Sequence, residues 1–201
     1  MPGSARLCGG EPAEPVDLGG IEEDVRPTAE QRALFDELNA AEAKAVDRLA
    51  AACPGSIPPT PTGRLDAMAQ RFDAMLNAVR LVRPPLAAFY GALNDEQKAR
   101  LLAGSAERRD WASRWLARCK DAPRAWASAP MDGIARALDL GGPQLAALDD
   151  FSRASDAAAD IVRGSCPSEI SLTPTGRLAA IEARLAALGT DGSRGARNLR
   201  K

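Results

Sequence analysis

The chain has 201 residues, of which 45% are hydrophobic but only 4% aromatic, and 26 Lys and Arg face 27 Asp and Glu for a formal charge of −1. A chain so close to neutral has no net basic field to hold a polyanion, so nucleic acid is not an expected partner. Histidine is absent, which removes the usual general base near neutral pH and the commonest zinc or copper ligand. No Walker-type loop, GxSxG elbow, CxxC pair or HExxH takes its place, and the expectation is a non-enzyme without metal or cofactor.

In chain order, the first clear helix starts at Thr28, where Gln31 three residues on completes the pattern of a capping box. Leu34, Leu38, Ala41, Ala45, Leu49 and Ala52 form its apolar stripe, and Pro54-Gly55 breaks it. Thr60 or Thr62 starts a second helix, in which Leu65, Met68, Phe72, Met75, Val79 and Val82 recur at spacings of three and four, a heptad seam. Arg64, Asp66, Arg71, Asp73 and Arg80 charge its other faces. The seam either packs against the first helix or lends its Met68, Phe72 and Met75 to an adaptable surface that re-packs around varied partners. Arg83-Pro84-Pro85 is expected to end or kink this helix. Leu86 to Leu93 makes a short apolar segment, and Asn94 with Gln97 caps a further helix. As a cap alone, Gln31 is worth about 1 kcal/mol or less. Trp111, Trp115 and Leu116 share a helical face, as core or as a binding anchor. No strand is predicted, and the fold class is all-α.

The chain also repeats itself. Thr60-Pro61-Thr62-Gly63-Arg64-Leu65 returns unchanged as Thr173-Pro174-Thr175-Gly176-Arg177-Leu178, 113 residues on. At the same offset Cys53-Pro54 becomes Cys166-Pro167, Gln31 becomes Gln144, and Gly20-Ile21 becomes Gly133-Ile134. Leu178, Ile181, Leu185 and Leu188 carry the seam into the second copy, which lacks a counterpart of Val79 to Leu102. The expected organisation is two tandem modules of antiparallel amphipathic helices, residues 1–104 and a truncated 105–190. A disordered basic tail, 191–201, follows; its Arg194, Arg197, Arg200 and Lys201 are either a solvated terminus or a patch for nucleic acid or lipid.

Cys8 and Cys53 are 45 residues apart and Cys119 and Cys166 are 47 apart. One disulfide per module is the expectation, with four reduced thiols as the alternative; a four-thiolate zinc site lacks its short knuckles. Disulfides point to an oxidising bacterial compartment, although Met1 to Leu7 holds no apolar run of signal-peptide length, and no stretch is long and apolar enough to span a membrane.

Cys53-Pro54, Thr60 to Leu65, Val82-Arg83-Pro84-Pro85-Leu86 with Phe89-Tyr90, and Leu93 to Arg100 together resemble the LTXXQ-motif proteins, a family that includes the Spy/CpxP-type periplasmic refolding chaperones. The likeness covers Cys8 to Leu102 and, more weakly, the second copy. Asn94 stands where the motif has Thr, Pro27 where it has Leu, and Gly141 interrupts it at Leu140 to Gln144. The resemblance implies a Spy-like thin helical cradle in the periplasm, often dimeric, that shields unfolded or envelope proteins without ATP as a chaperone or stress adaptor. With two copies in tandem, a homodimer and an intramolecular pseudo-dimer are both open. On this reading Leu65, Met68, Phe72, Met75, Val79 and Val82 form the client-binding seam. Some relatives sense metal ions through His-containing sites, so a metal or ligand sensor is the alternative. Such a site cannot be carried over to a chain without His, and the clusters Glu22-Glu23-Asp24 and Asp149-Asp150 read as solvated faces.

Overall fold

The computed structural model describes residues 18–53, 55–56, 58–103, 113–114, 116–119, 121, 131–169 and 171–198. Its helices are α1 (Leu18–Val25), α2 (Ala29–Ala51), α3 (Pro61–Ala92), α4 (Asp95–Leu102), α5 (Met131–Ala137), α6 (Gly142–Gly164) and α7 (Pro174–Asn198). The fold is all-α, with no strand among the described residues. Cys8, Trp111 and Trp115 lie outside them.

Local chemistry accounts for each boundary. At α2, Gln31 N donates to Thr28 Oγ1 (3.3 Å) while Thr28 N donates back to Gln31 Oε1 (3.0 Å), so two of the orphan amides at the helix start are satisfied reciprocally. Asn94 and Gln97 do the same for α4, at 2.8 and 3.0 Å. Of the two threonines that could start α3, Thr60 is the cap: its Oγ1 accepts from Gly63 N at 3.1 Å, with Pro61 at the first helical position. In the second copy, Thr173 Oγ1 accepts from Gly176 N at the same 3.1 Å. The glycine in this repeated motif has a steric cause. A Cβ on Gly63 would lie 2.8 Å from Thr60 Oγ1, and one on Gly176 would lie 2.3 Å from the Ser171 side chain.

The repeat is visible in the helix limits as well, because α2 and α6 start and stop 113 residues apart and so do the starts of α3 and α7. Arg26 and Asp139, also 113 apart, both have left-handed backbone (φ 50° and 49°) and turn the chain from α1 into α2 and from α5 into α6. Asp adopts this region more readily than Arg.

Of the two outcomes expected at Arg83-Pro84-Pro85, an end or a kink, the end does not occur: α3 runs for 32 residues with both prolines inside it. Pro84 and Pro85 remove two ladder donors. Beyond them, however, Phe89 and Leu93 are deeply buried, and this tertiary burial holds the helix on course through an unfavourable stretch. α7 carries helical backbone past Leu188 to Asn198. Gly189, Gly192 and Gly195 weaken a helix by about 1 kcal/mol each relative to Ala but, unlike proline, do not forbid it.

α3 lies between α2 and α7 and packs on both, while α1 meets α4, α5 meets α6, and α6 meets α7. The pairing of α3 with α7 is antiparallel: a Cβ on Gly189 would meet Asp73 Oδ1, whereas Glu182, nearer the start of α7, binds Arg80 and Arg83, further along α3. The principal core sits at one end of the first copy, where Val25, Phe35, Leu38, Phe89, Leu93 and Leu101 are buried together. The Phe35 and Phe89 rings stand 5.2 Å apart and tilted by 49°. Burying such side chains contributes about 1.5–3 kcal/mol each.

Candidate functional site

Exposure along the seam of α3 is graded. At the N-terminal end Met68 is 53% exposed and Leu65 is exposed too. Phe72, Met75, Val79 and Val82 are half-buried, and Val82 packs against the core cluster. The fully buried positions of this helix are instead Leu76, Ala78 and Phe89. The heptad reading thus marks a partly covered strip, one register away from the residues that close the core. The flexible thioether of Met68 thus stands exposed one turn from an exposed leucine.

Charged groups border the strip. Glu182 of α7 accepts from Arg80 Nε at 3.2 Å and from Arg83 Nη1 at 2.6 Å, and only 18% of its side chain is exposed. The Arg83 hydrogen bond, helped by Arg80 and opposed by desolvation, holds the Glu182 carboxyl below the usual carboxylate range. At the other edge of α7, Arg184 Nη1 donates to Val162 O and to Ser165 Oγ at 3.0 Å, and it meets Cys166 Sγ at 3.2 Å. A guanidinium here faces the carbonyl end of α6, where a positive charge is favoured.

Cys119 and Cys166 are joined, with Cα atoms 5.9 Å apart. Cys53 is also disulfide-bonded; Cys8, its expected partner, is among the residues not described.

The feature that sequence reasoning missed is the pairing of the two capping glutamines. Beyond its own cap, each side chain reaches the other: Gln31 Nε2 donates to Gln97 Oε1 (3.0 Å) and Gln97 Nε2 donates to Gln31 Oε1 (2.8 Å). The remaining donors go to Ala92 O (2.7 Å) and Val25 O (3.3 Å). Each amide thereby uses two donors and two acceptor positions, its full capacity. Both residues are buried, so the clasp ties the starts of α2 and α4 together through fully satisfied polar groups. The recurrence of a cap with Gln in its third position was the available signal, but caps read singly do not reveal that they face each other.

A depression beside Glu22, Glu23, Arg26, Pro27 and Arg32 is open to solvent, and an Arg32 to Glu22 ion pair crosses it. No group of three or more His, Cys, Asp or Glu among the described residues could hold a metal ion. Nor is any described helix long and apolar enough to cross a membrane.

The described residues thus form an all-α fold whose first-copy core is clamped by two glutamine-capped helix starts. Residues 16–103 match the model of the LTXXQ motif family protein, a family that includes Spy/CpxP-like periplasmic proteins and is generally non-enzymatic. No curated protein and no solved structure matches the chain.

Proposed function

We propose that the protein is an ATP-independent, periplasmic binder of unfolded or envelope proteins, a chaperone or stress adaptor that uses the exposed start of the α3 seam as its contact surface. The observation that carries this reading is the exposure of Leu65 and Met68 on a helix whose far end is fixed in the core. A rigid support with an adaptable apolar end can hold many sequences loosely, and broad, weak binding is its expected signature. The match of residues 16–103 to the LTXXQ family model supports the same reading.

Two modules divided near residue 104, and a Cys8 to Cys53 disulfide matching that of Cys119 with Cys166, belong to this proposal. So does an intramolecular pseudo-dimer, supported by the antiparallel packing of α3 on α7. The test is suppression of aggregation of an unfolding client without nucleotide. Met68→Asp should reduce protection several-fold while helicity and the melting transition stay nearly unchanged, because the side chain is exposed. Full protection by this variant would move client binding off the seam.

A further inference from the structure

Of four sequence positions that help to close the core of the first copy, three lie open in the second and only Leu148 is half-buried. Ile21, Val25, Phe35 and Leu38 correspond to Ile134, Leu138, Leu148 and Phe151. Val25 is fully buried and Leu38 is 3% exposed, but Leu138 is 65% and Phe151 39% exposed. Ile134 and the adjacent Leu145 are exposed as well.

The cause lies in what covers them. In the first copy the cover is the helical hairpin Val82–Leu102, which supplies Phe89, Leu93 and Leu101 to the cluster and Gln97 to the clasp. No counterpart of that hairpin lies over α5 and α6 among the described residues. The receiving geometry is nevertheless kept: α5 and α6 pack on each other, Asp139 repeats the left-handed turn of Arg26, and Gln144 Oε1 accepts from Gly141 N at 2.9 Å as Gln31 does from Thr28. Among the described residues, nothing meets the Gln144 Nε2 donors, which in Gln31 go to Ala92 O and Gln97 Oε1.

We infer that the α5–α6 face is a docking site for a helical hairpin of another polypeptide that has the chemistry of Val82–Leu102: net basic, with an aromatic, a leucine and a glutamine spaced as in Phe89, Leu93 and Gln97. The aromatic ring packs beside Leu148 and Phe151, the leucine covers Leu138, and the glutamine completes the clasp with Gln144. Charge selects against a second copy of the face itself. Residues 131–164 carry six aspartates against three arginines, so two such faces repel, whereas the hairpin sets Arg83, Lys98 and Arg100 against Asp95 and Glu96. Exposed Ile134, Leu138, Leu145 and Phe151 supply the apolar area, and the aspartates of the same segment the charge, that together mark a protein interaction site.

This site is separate from the α3 seam, so the two readings can fail independently. A fluorescently labelled synthetic peptide of sequence Val82–Leu102 is titrated into the full, oxidised chain, and binding is followed by anisotropy. One peptide should bind per chain with a Kd below about 1 mM, a modest affinity because the free peptide must order itself on binding. Leu138→Asp and, separately, Phe151→Asp should each weaken binding about tenfold or more. Met68→Asp should leave it unchanged. Absence of saturable binding overturns the proposal. Undiminished binding by both Asp variants also overturns it, since the peptide would then be displacing the chain's own hairpin or binding elsewhere. Self-association that sedimentation velocity detects and Leu138→Asp abolishes would replace the hairpin with a second copy of the chain.

Discussion

The two copies of the repeat fold the same helix–turn–helix start, yet one has an interior there and the other has a surface. α2 and α6 have matched limits and matched glutamines. What separates them is a hairpin of some twenty residues, present over α1–α2 and missing over α5–α6 among the described residues. Secondary structure thus follows the local sequence, while burial follows what arrives from elsewhere in the chain.

The sharpest way to break this comparison is to delete equivalent bulk on both sides. Phe89→Ala, which removes a ring buried to 1% exposure and stacked near Phe35, should cost about 3–5 kcal/mol in urea unfolding. Phe151→Ala, on the open face, should cost less than about 1 kcal/mol. Similar losses at the two sites would mean that the second face is covered in solution.

The glutamines give the next largest contrast. As a simple cap Gln31 is worth about 1 kcal/mol or less, but in the clasp its loss also strands the buried Gln97 amide. Gln31→Ala and Gln97→Ala should therefore each cost about 2–3 kcal/mol, and the double variant should cost much less than the sum. Gln144→Ala, exposed and without a mate, should fall within about 1 kcal/mol of the parent. An additive double-mutant cycle for Gln31 and Gln97 would refute the clasp.

Acid should loosen the link between the copies. Because the folded-state pKa of Glu182 is depressed, its contribution is present above the unfolded-state value and is lost as pH falls through the lower folded value. Both arginines are more than half exposed, so the effect is small, about 1 kcal/mol or less. Glu182→Gln should flatten this acid limb, measured as melting temperature between pH 6 and 3, by lowering stability at pH 7 by the same small amount, about 1 kcal/mol or less, while leaving the acid end unaltered. An unchanged limb would place the acid sensitivity elsewhere.

The smallest expected effect compares the two left-handed turns. Arg26→Gly should gain up to about 1 kcal/mol by relieving a backbone region that Arg adopts at a cost, and Asp139→Gly should gain less, since Asp tolerates it better. Equal gains in thermal melting would remove this distinction between the copies.

Much of the fold was legible because it rests on short-range chemistry. Thr28 with Gln31, Asn94 with Gln97, and Thr60-Pro61 each announce a helix start, and the offset of 113 residues aligns the two copies. The seam was legible only in part. Periodicity identifies an apolar strip from Leu65 to Val82, but it does not distinguish the exposed Met68 from the half-buried Val82, because that depends on which helices flank α3 at each level. Pro84 and Pro85 misled for a related reason: a local rule against helix was outweighed by distant burial of Phe89 and Leu93.

By itself, then, the sequence determined the helical class, the caps, the repeat and the absence of histidine chemistry, all of which are set by residues within a turn or two of one another or by composition alone. Only the tertiary structure decided that the two capping glutamines satisfy each other, that α3 runs through its prolines and lies antiparallel to α7, and that one copy of a shared apolar face is core while the other is open. Those outcomes depend on groups about fifty or more residues apart competing for the same buried space, and no local pattern encodes which of them meet.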